Sequence, residues 1–269
     1  MKPGRFAAHV VWITGASSGI GEALAVAFAA AGAQVVLSGR RVEELARVAA
    51  RCGSDPAPFI LPLDLTRPQE FALAASAVQT RFGRLDVLIN NGGVGERALA
   101  QETLPSVERA VMEVNYFGAV GLTKAVLPLL LAQRSGSIVA VSSVMGYVGI
   151  PRRAAYAASK HALRGWFDSL RAEVAPHGLH VCLVCPGYVA TNLSRHALAA
   201  DGAAHARVDR GTARGLAPER VAAAVLRAVA HRRDEVFVGG PELWAVRLKR
   251  HFPRLWAWVL RRLVARGRF

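Results

Sequence analysis

The side chains whose types and spacing could do chemistry are Tyr156, Lys160 and the Ser142-Ser143 pair. Tyr156-Ala157-Ala158-Ser159-Lys160 sets a phenol and an ammonium at i and i+4, one turn apart on the same face of a helix. Ser142-Ser143 ends an apolar stretch, with Ser143 standing 13 residues before Tyr156. That places a hydroxyl at the carboxyl edge of a sheet, where open α/β folds bind their ligands. Hydroxyl, phenol and ammonium can then converge on one proton transfer. Without that context, a solvated helix face explains the Tyr/Lys pair better. The difficulty is the phenol, whose ordinary pKa lies near 10. An ammonium about 4 Å from the phenolate favours it by roughly 4 kcal/mol at an effective dielectric near 20, enough to bring it toward the range of general acid/base catalysis.

A second pattern lies near the start. Thr14-Gly15-Ala16-Ser17-Ser18-Gly19-Ile20-Gly21 follows an apolar run and opens a helix-period segment. Glycines let backbone amides approach a pyrophosphate, and the helix N-terminus adds unpaired N–H donors and partial positive charge. The spacing is G-x-x-x-G-x-G, not the G-x-G-x-x-G dinucleotide fingerprint, and a tight strand-to-helix turn is the alternative reading. Dinucleotide folds that use NAD place an acid on the adenosine ribose about 20 residues farther on. Here Ser38-Gly39-Arg40-Arg41 stands there instead. Arg40 offers a planar cationic fork suited to a 2′-phosphate, so NADP(H) is preferred over NAD(H). The competing reading is a solvated helix start in an Arg-rich chain.

Elements must carry these groups. Short β-branched or apolar runs at 9–14, 34–38, 58–62, 86–89, 137–142, 179–185 and 235–238 alternate with helix-period segments near 19–32, 41–52, 67–82, 104–133, 154–175 and 218–231. That alternation signals βαβ units and a parallel sheet. The expectation is a single-domain α/β, Rossmann-type doubly wound fold with seven parallel strands and helices on both faces, covering residues 1–240. Pro128 is expected to kink or divide the fourth helix. Residues 192–217, rich in Ala, Gly and Arg, read as a mobile lid. Residues 241–269 interleave Trp244, Leu248, Phe252, Trp256 and Leu260 with arginines, a basic amphipathic tail.

With these motifs in order, the chain resembles the short-chain dehydrogenase/reductase (SDR) family over roughly residues 8–240. Thr14 to Gly21 matches its TGxxxGxG turn, Asp64-Leu65 its adenine-contacting acid, and Asn90-Asn91-Gly92-Gly93 its NNAG segment, with Gly92 in place of Ala. Asn115, Ser143, Tyr156 and Lys160 match the catalytic tetrad, and Pro186-Gly187 with Thr191 the nicotinamide-side PG motif. The stretches 112–118 and 159–165 and the basic tail resemble the steroid/retinoid-type reductase branch. The resemblance implies an NADP(H)-dependent oxidoreductase that interconverts a ketone or aldehyde and an alcohol. Tyr156 would be general acid/base, Ser143 would hydrogen-bond the developing oxyanion, and Asn115 would support a water-linked proton relay through Lys160. Gly15, Ser17, Ser18, Gly19, Ile20, Gly21, Arg40, Asp64, Leu65, Asn91, Gly93, Tyr156, Lys160, Pro186, Gly187, Val189 and Thr191 are the candidate cofactor residues. Ser143, Val144, Met145, Tyr147, Val148, Pro151 and Tyr188 are expected to wall an apolar substrate pocket with no charged group to select among lipophilic compounds. A dinucleotide-binding sensor or scaffold without turnover is the alternative. Homo-oligomerisation, dimer or tetramer, follows from the same resemblance.

Composition excludes other classes. The chain has 269 residues, 52% hydrophobic and 20% charged, with 25 Gly and 13 Pro, which excludes disordered and collagen-like chains. No run of about 18 apolar residues suggests a membrane span, no secretory signal is visible, and three cysteines fit a reducing compartment. A cytoplasmic protein is the expectation. Cys182-Leu183-Val184-Cys185 has redox or zinc spacing but lies in an apolar run, so core filling is preferred, and no metal is expected. The formal charge is +15, with 30 Arg against 4 Lys, a skew that suggests a coding bias more than a partner. Nearly half of the excess sits in residues 240–269, which hold eight Lys/Arg and one acid. Peripheral contact of the tail with anionic lipid competes with its packing on the parent domain or a second subunit. Charge alone supports nucleic-acid binding, without a recognised module, so no nucleic-acid partner is expected.

Overall fold

The computed structural model describes residues 6–53, 55–207 and 209–267. Seven parallel strands run in the order β3-β2-β1-β4-β5-β6-β7. They are β1 Val10–Thr14, β2 Gln34–Ser38, β3 Phe59–Ile60, β4 Val87–Asn90, β5 Ser137–Val141, β6 His180–Pro186 and β7 Glu235–Val238. Helices α1 Gly19–Ala30, α2 Val42–Cys52 and α3 Phe71–Phe82 connect the first four strands, and α4 Pro105–Met112, α5 Gly118–Gln133 and α6 Ala154–Val174 those that follow. Strand order reverses between β1 and β4, which opens a crevice at their carboxyl ends. β7 is a half-exposed edge, and β1, β4, β5 and β6 are buried throughout.

Period-two alternation sorts the strand residues into two cores. Val11 and Ile13 of β1 join Leu24, Phe28 and Val225 on one face. Val10 and Trp12 join Leu122, Leu163 and Phe167 on the other. Cys182 is buried in the first core, and burial pushes its thiol up to about 12. Cys185 is buried too, its thiol pushed up by the same cause.

The fourth helical segment departs from expectation. Pro128 lies inside α5 without dividing it, and the break comes earlier, at a π turn over Glu113–Phe117 that contains Asn115. The span Pro105–Gln133 is long and apolar enough to cross a membrane by composition. It instead buries Val107, Val111, Leu122, Val126 and Leu130. Short helix α7 Arg210–Ala213 lies within 192–217, and α8 Pro218–Ala230 follows. Within 192–217, Leu198 donates its N–H to Gly95 O and accepts from Arg97 N, each at 2.9 Å. The tail forms α9 Leu243–His251 and α10 Pro253–Ala265. Val246 of α9 is buried, and no residue of α10 is. Two bonds tie α9 to the carboxyl side of the sheet: Glu242 Oε1 accepts from Tyr188 N at 3.0 Å, and Lys249 Nζ donates to Tyr147 O at 2.8 Å.

Candidate active site

The glycine turn is shaped by close backbone approach. Gly15 has φ +63°, and a Cβ there would lie 2.7 Å from Gly92 Cα; a Cβ on Gly21 would collide with the Gly15 carbonyl oxygen. Thr14 locks this turn to the one after β4, its hydroxyl accepting from Asn91 N and Gly92 N at 3.0 Å each. Asn91 Nδ2 donates to Thr14 O and Gly15 O at 3.0 and 3.2 Å. Two bare backbone turns therefore meet above the β1/β4 crevice, with the N-terminus of α1 facing it. A Cβ on Gly92 would sit 2.6 Å from Leu65 Cδ1, the far end of a flexible side chain, so the leucine occupies that space and must shift to admit a methyl.

A cleft of about 700 Å³ runs from this turn to Tyr156. Gly15, Ser17, Ser18, Gly19, Ile20, Arg40, Asp64, Leu65, Asn91, Gly93, Pro186, Gly187, Val189 and Thr191 all line it. Gly21 does not; it lies behind, packed on Gly15. Arg40 and Arg41 are exposed at one end, and Arg41 Nη2 donates to Ser17 Oγ at 3.2 Å. Burial alone would raise the Asp64 carboxyl, but hydrogen bonds from Thr66 and the charges of Arg40 and Arg67 bring it below its usual value. The residues fit a dinucleotide: a glycine cradle for phosphates, a carboxylate beside Leu65, and two guanidinium groups.

At the other end lie Ser143, Tyr156 and Lys160. Ser143 caps the turn Val144–Gly146, accepting from Met145 N at 3.1 Å. Tyr156 and Lys160 stand one turn apart on α6, with Lys160 Nζ 5.8 Å from the Tyr156 ring centroid. Nζ donates to Val141 O at 2.8 Å, and burial lowers the amine to about 8. Burial raises the Tyr156 phenol, and Ser143, Arg97 and Arg153 act against that rise. The cations that act on the phenol here are thus two arginines, while the Lys160 ammonium is turned onto a carbonyl. Asn115 is committed on both amide atoms. Oδ1 accepts from Val94 N at 2.7 Å, and Nδ2 donates to Val94 O at 2.9 Å and Ser159 Oγ at 3.0 Å. Asn115 thereby holds the turn after β4 against α6.

Of the expected substrate wall, Ser143, Met145 and Tyr188 line the cleft. Val144 and Val148 are buried and outside its lining, and the turn residue Pro151, only part-buried, is outside it too. Tyr147 is turned away toward β7, its ring against Phe237, under the Arg164 guanidinium at 4.2 Å, and its hydroxyl donating to Glu235. The expectation of an uncharged pocket is corrected by Arg97 and Arg153, which line the cleft. Glu96, fully buried, accepts from Tyr156 N at 3.0 Å and caps the first turn of α6 from another segment. No spacing links residues 96, 97 and 153, so only the fold brings them together.

A nucleotide cradle and a tyrosine/lysine helix turn on one α/β cleft define an oxidoreductase of the dinucleotide-binding class. The chain belongs to the short-chain dehydrogenase/reductase family, whose model, described as short chain dehydrogenase, matches residues 9–202; its reaction interconverts CH–OH and C=O with a nicotinamide cofactor. Among relatives, dehydrogenase/reductase SDR family member 7B of Bos taurus is 44% identical over 239 residues, 86% of this chain and 74% of that one. An SDR from Burkholderia phymatum in complex with NAD has TM-score 0.83 at 26% identity, covering 93% of this chain and 96% of that one. A metagenomic short-chain oxidoreductase in complex with NADP has TM-score 0.73 at 30% identity, covering 87% and 98%.

Proposed function

We propose that this chain is an NADP(H)-dependent carbonyl reductase/alcohol dehydrogenase acting on a lipophilic ketone, aldehyde or secondary alcohol. The observation that carries the reading is the presence of Ser143, Tyr156 and Lys160 on the same cleft as the glycine turn. Arg40 and Arg41 supply the preference for a 2′-phosphate, with no carboxylate on β2 to repel it. A bound reduced nicotinamide supplies hydride to the carbonyl carbon. Tyr156 gives its phenolic proton to the carbonyl oxygen in reduction and takes it back in oxidation. Ser143 donates to the oxygen as its charge develops. The two arginines favour the tyrosinate that is left, Lys160 fastens α6 to the end of β5 through Val141 O, and Asn115 keeps the floor of the site in register.

The protein works as a cytoplasmic homo-oligomer whose tail makes peripheral contact with anionic lipid. Trp244 of α9, Phe252 between the two helices, and Leu255 and Trp258 of α10 are exposed, and Arg247 and Arg262 stack over the two tryptophans. Aromatics with arginines beside them suit a headgroup interface. The test of the activity is a carbonyl panel followed by NADPH and NADH absorbance. Faster turnover with NADPH supports the reading. Tight NADPH binding without turnover on a broad panel would make the protein a sensor.

A further inference from the structure

We propose that Arg97 and Arg153 form an anion subsite at the Tyr156 end of the cleft. It takes the carboxylate or phosphate of an otherwise lipophilic substrate. This deepens the reductase reading and rests on it for the word substrate. Both guanidinium groups line the cleft, yet their side chains are only 9% and 11% exposed. They converge on one atom: Asp209 Oδ2 accepts from Arg97 Nε at 2.6 Å and from Arg153 Nη2 at 2.8 Å. Among the described residues, Asp209 is the one acid that pairs with either.

Two buried cations thus share one oxygen. The Glu96 carboxylate does not answer them, because its oxygens accept from Tyr156 N and Thr103 Oγ1; the arginines reach only its backbone carbonyl. Arg153 Nε, buried, has no hydrogen-bond partner, and a buried donor left unpaired needs an explanation. Burial, and after it the charge of Arg97, lowers the Arg153 guanidinium to about 10 against the opposing charge of Asp209. Apolar side chains would serve folding alone at least as well as buried ions. Paired guanidinium forks match a carboxylate or phosphate head. Asp209, on the 192–217 segment and a quarter exposed, occupies the place of that head.

The test is calorimetric titration of the NADP⁺-saturated protein with octanoate, octyl phosphate and methyl octanoate. At least one anion is expected to bind about tenfold or more tighter than the ester, and the tighter anion identifies the head. Arg97→Met and Arg153→Met should each bring the ratio to within about threefold of unity. Arg153→Lys, which keeps the charge and the Asp209 pair, should retain an intermediate ratio. Equal affinities for anions and ester, or a preference unchanged in both Met variants, overturns the proposal. Failure to turn over any carbonyl would sink the reductase reading and leave this binding result standing. Reduction of neutral ketones without an anion preference would sink only the subsite.

Discussion

Lys160 holds an amine only 4% exposed, with Val141 O as its acceptor. Its folded value of about 8 lies below the ordinary 10.5. Between those limits the unfolded chain keeps a proton that the folded chain has released, so this group raises stability as pH climbs through the window and adds no slope below it. Lys160→Met is therefore expected to raise the urea midpoint near neutrality by the equivalent of roughly 1–3 kcal/mol. It should also cut turnover by about a hundredfold. A lower midpoint would show that the amine stabilises the fold. Tyr156, Lys160 and Ser143 were legible in the sequence because two lie one helix turn apart and the third ends a strand. Arg97, Arg153 and Asp209 were not, because three distant segments must fold together before their charges meet. Tyr147 was misplaced for a related reason: spacing sets it near Ser143, but its ring finds Phe237 and Arg164.

At the scale of elements, the two backbone turns above β1 and β4 determine whether a cofactor can lie flat. Gly15→Ala forces a side chain onto a φ of +63° and against Gly92 Cα at 2.7 Å. It is expected to cost about 1–3 kcal/mol of stability and to weaken NADPH at least about tenfold by fluorescence titration. Gly92→Ala meets only the movable end of Leu65, and its NADPH affinity should stay within about threefold. A larger loss in Gly92→Ala than in Gly15→Ala would refute this account of the cradle. Strands β2 and β7 fall at their expected residues, because alternation and flanking turns bound them. The break in the helix at 105–133 was not visible at Pro128, since a proline in α5 is accommodated. The Asn115 amide bonds to Val94 and Ser159, which no local pattern shows, sit in the actual break.

For the whole molecule, the parallel sheet and its order follow from the βα alternation, whereas what covers α10 cannot be read from one chain's periodicity. Full-length protein should co-sediment with phosphatidylserine vesicles at low salt and lose that binding in Trp244→Ser/Trp258→Ser. Equal pelleting of the two proteins would place lipid contact elsewhere. Light scattering should report a multiple of the 28.7 kDa chain, dimer or tetramer; a monomer would remove the oligomer from the account.

The most direct measurement compares wild type and Tyr156→Phe on one carbonyl substrate that the wild type reduces, with NADPH affinity measured in parallel. The account predicts an unchanged NADPH dissociation constant and a loss of turnover of at least about a hundredfold. Turnover retained by the phenylalanine variant would show that the proton comes from another group.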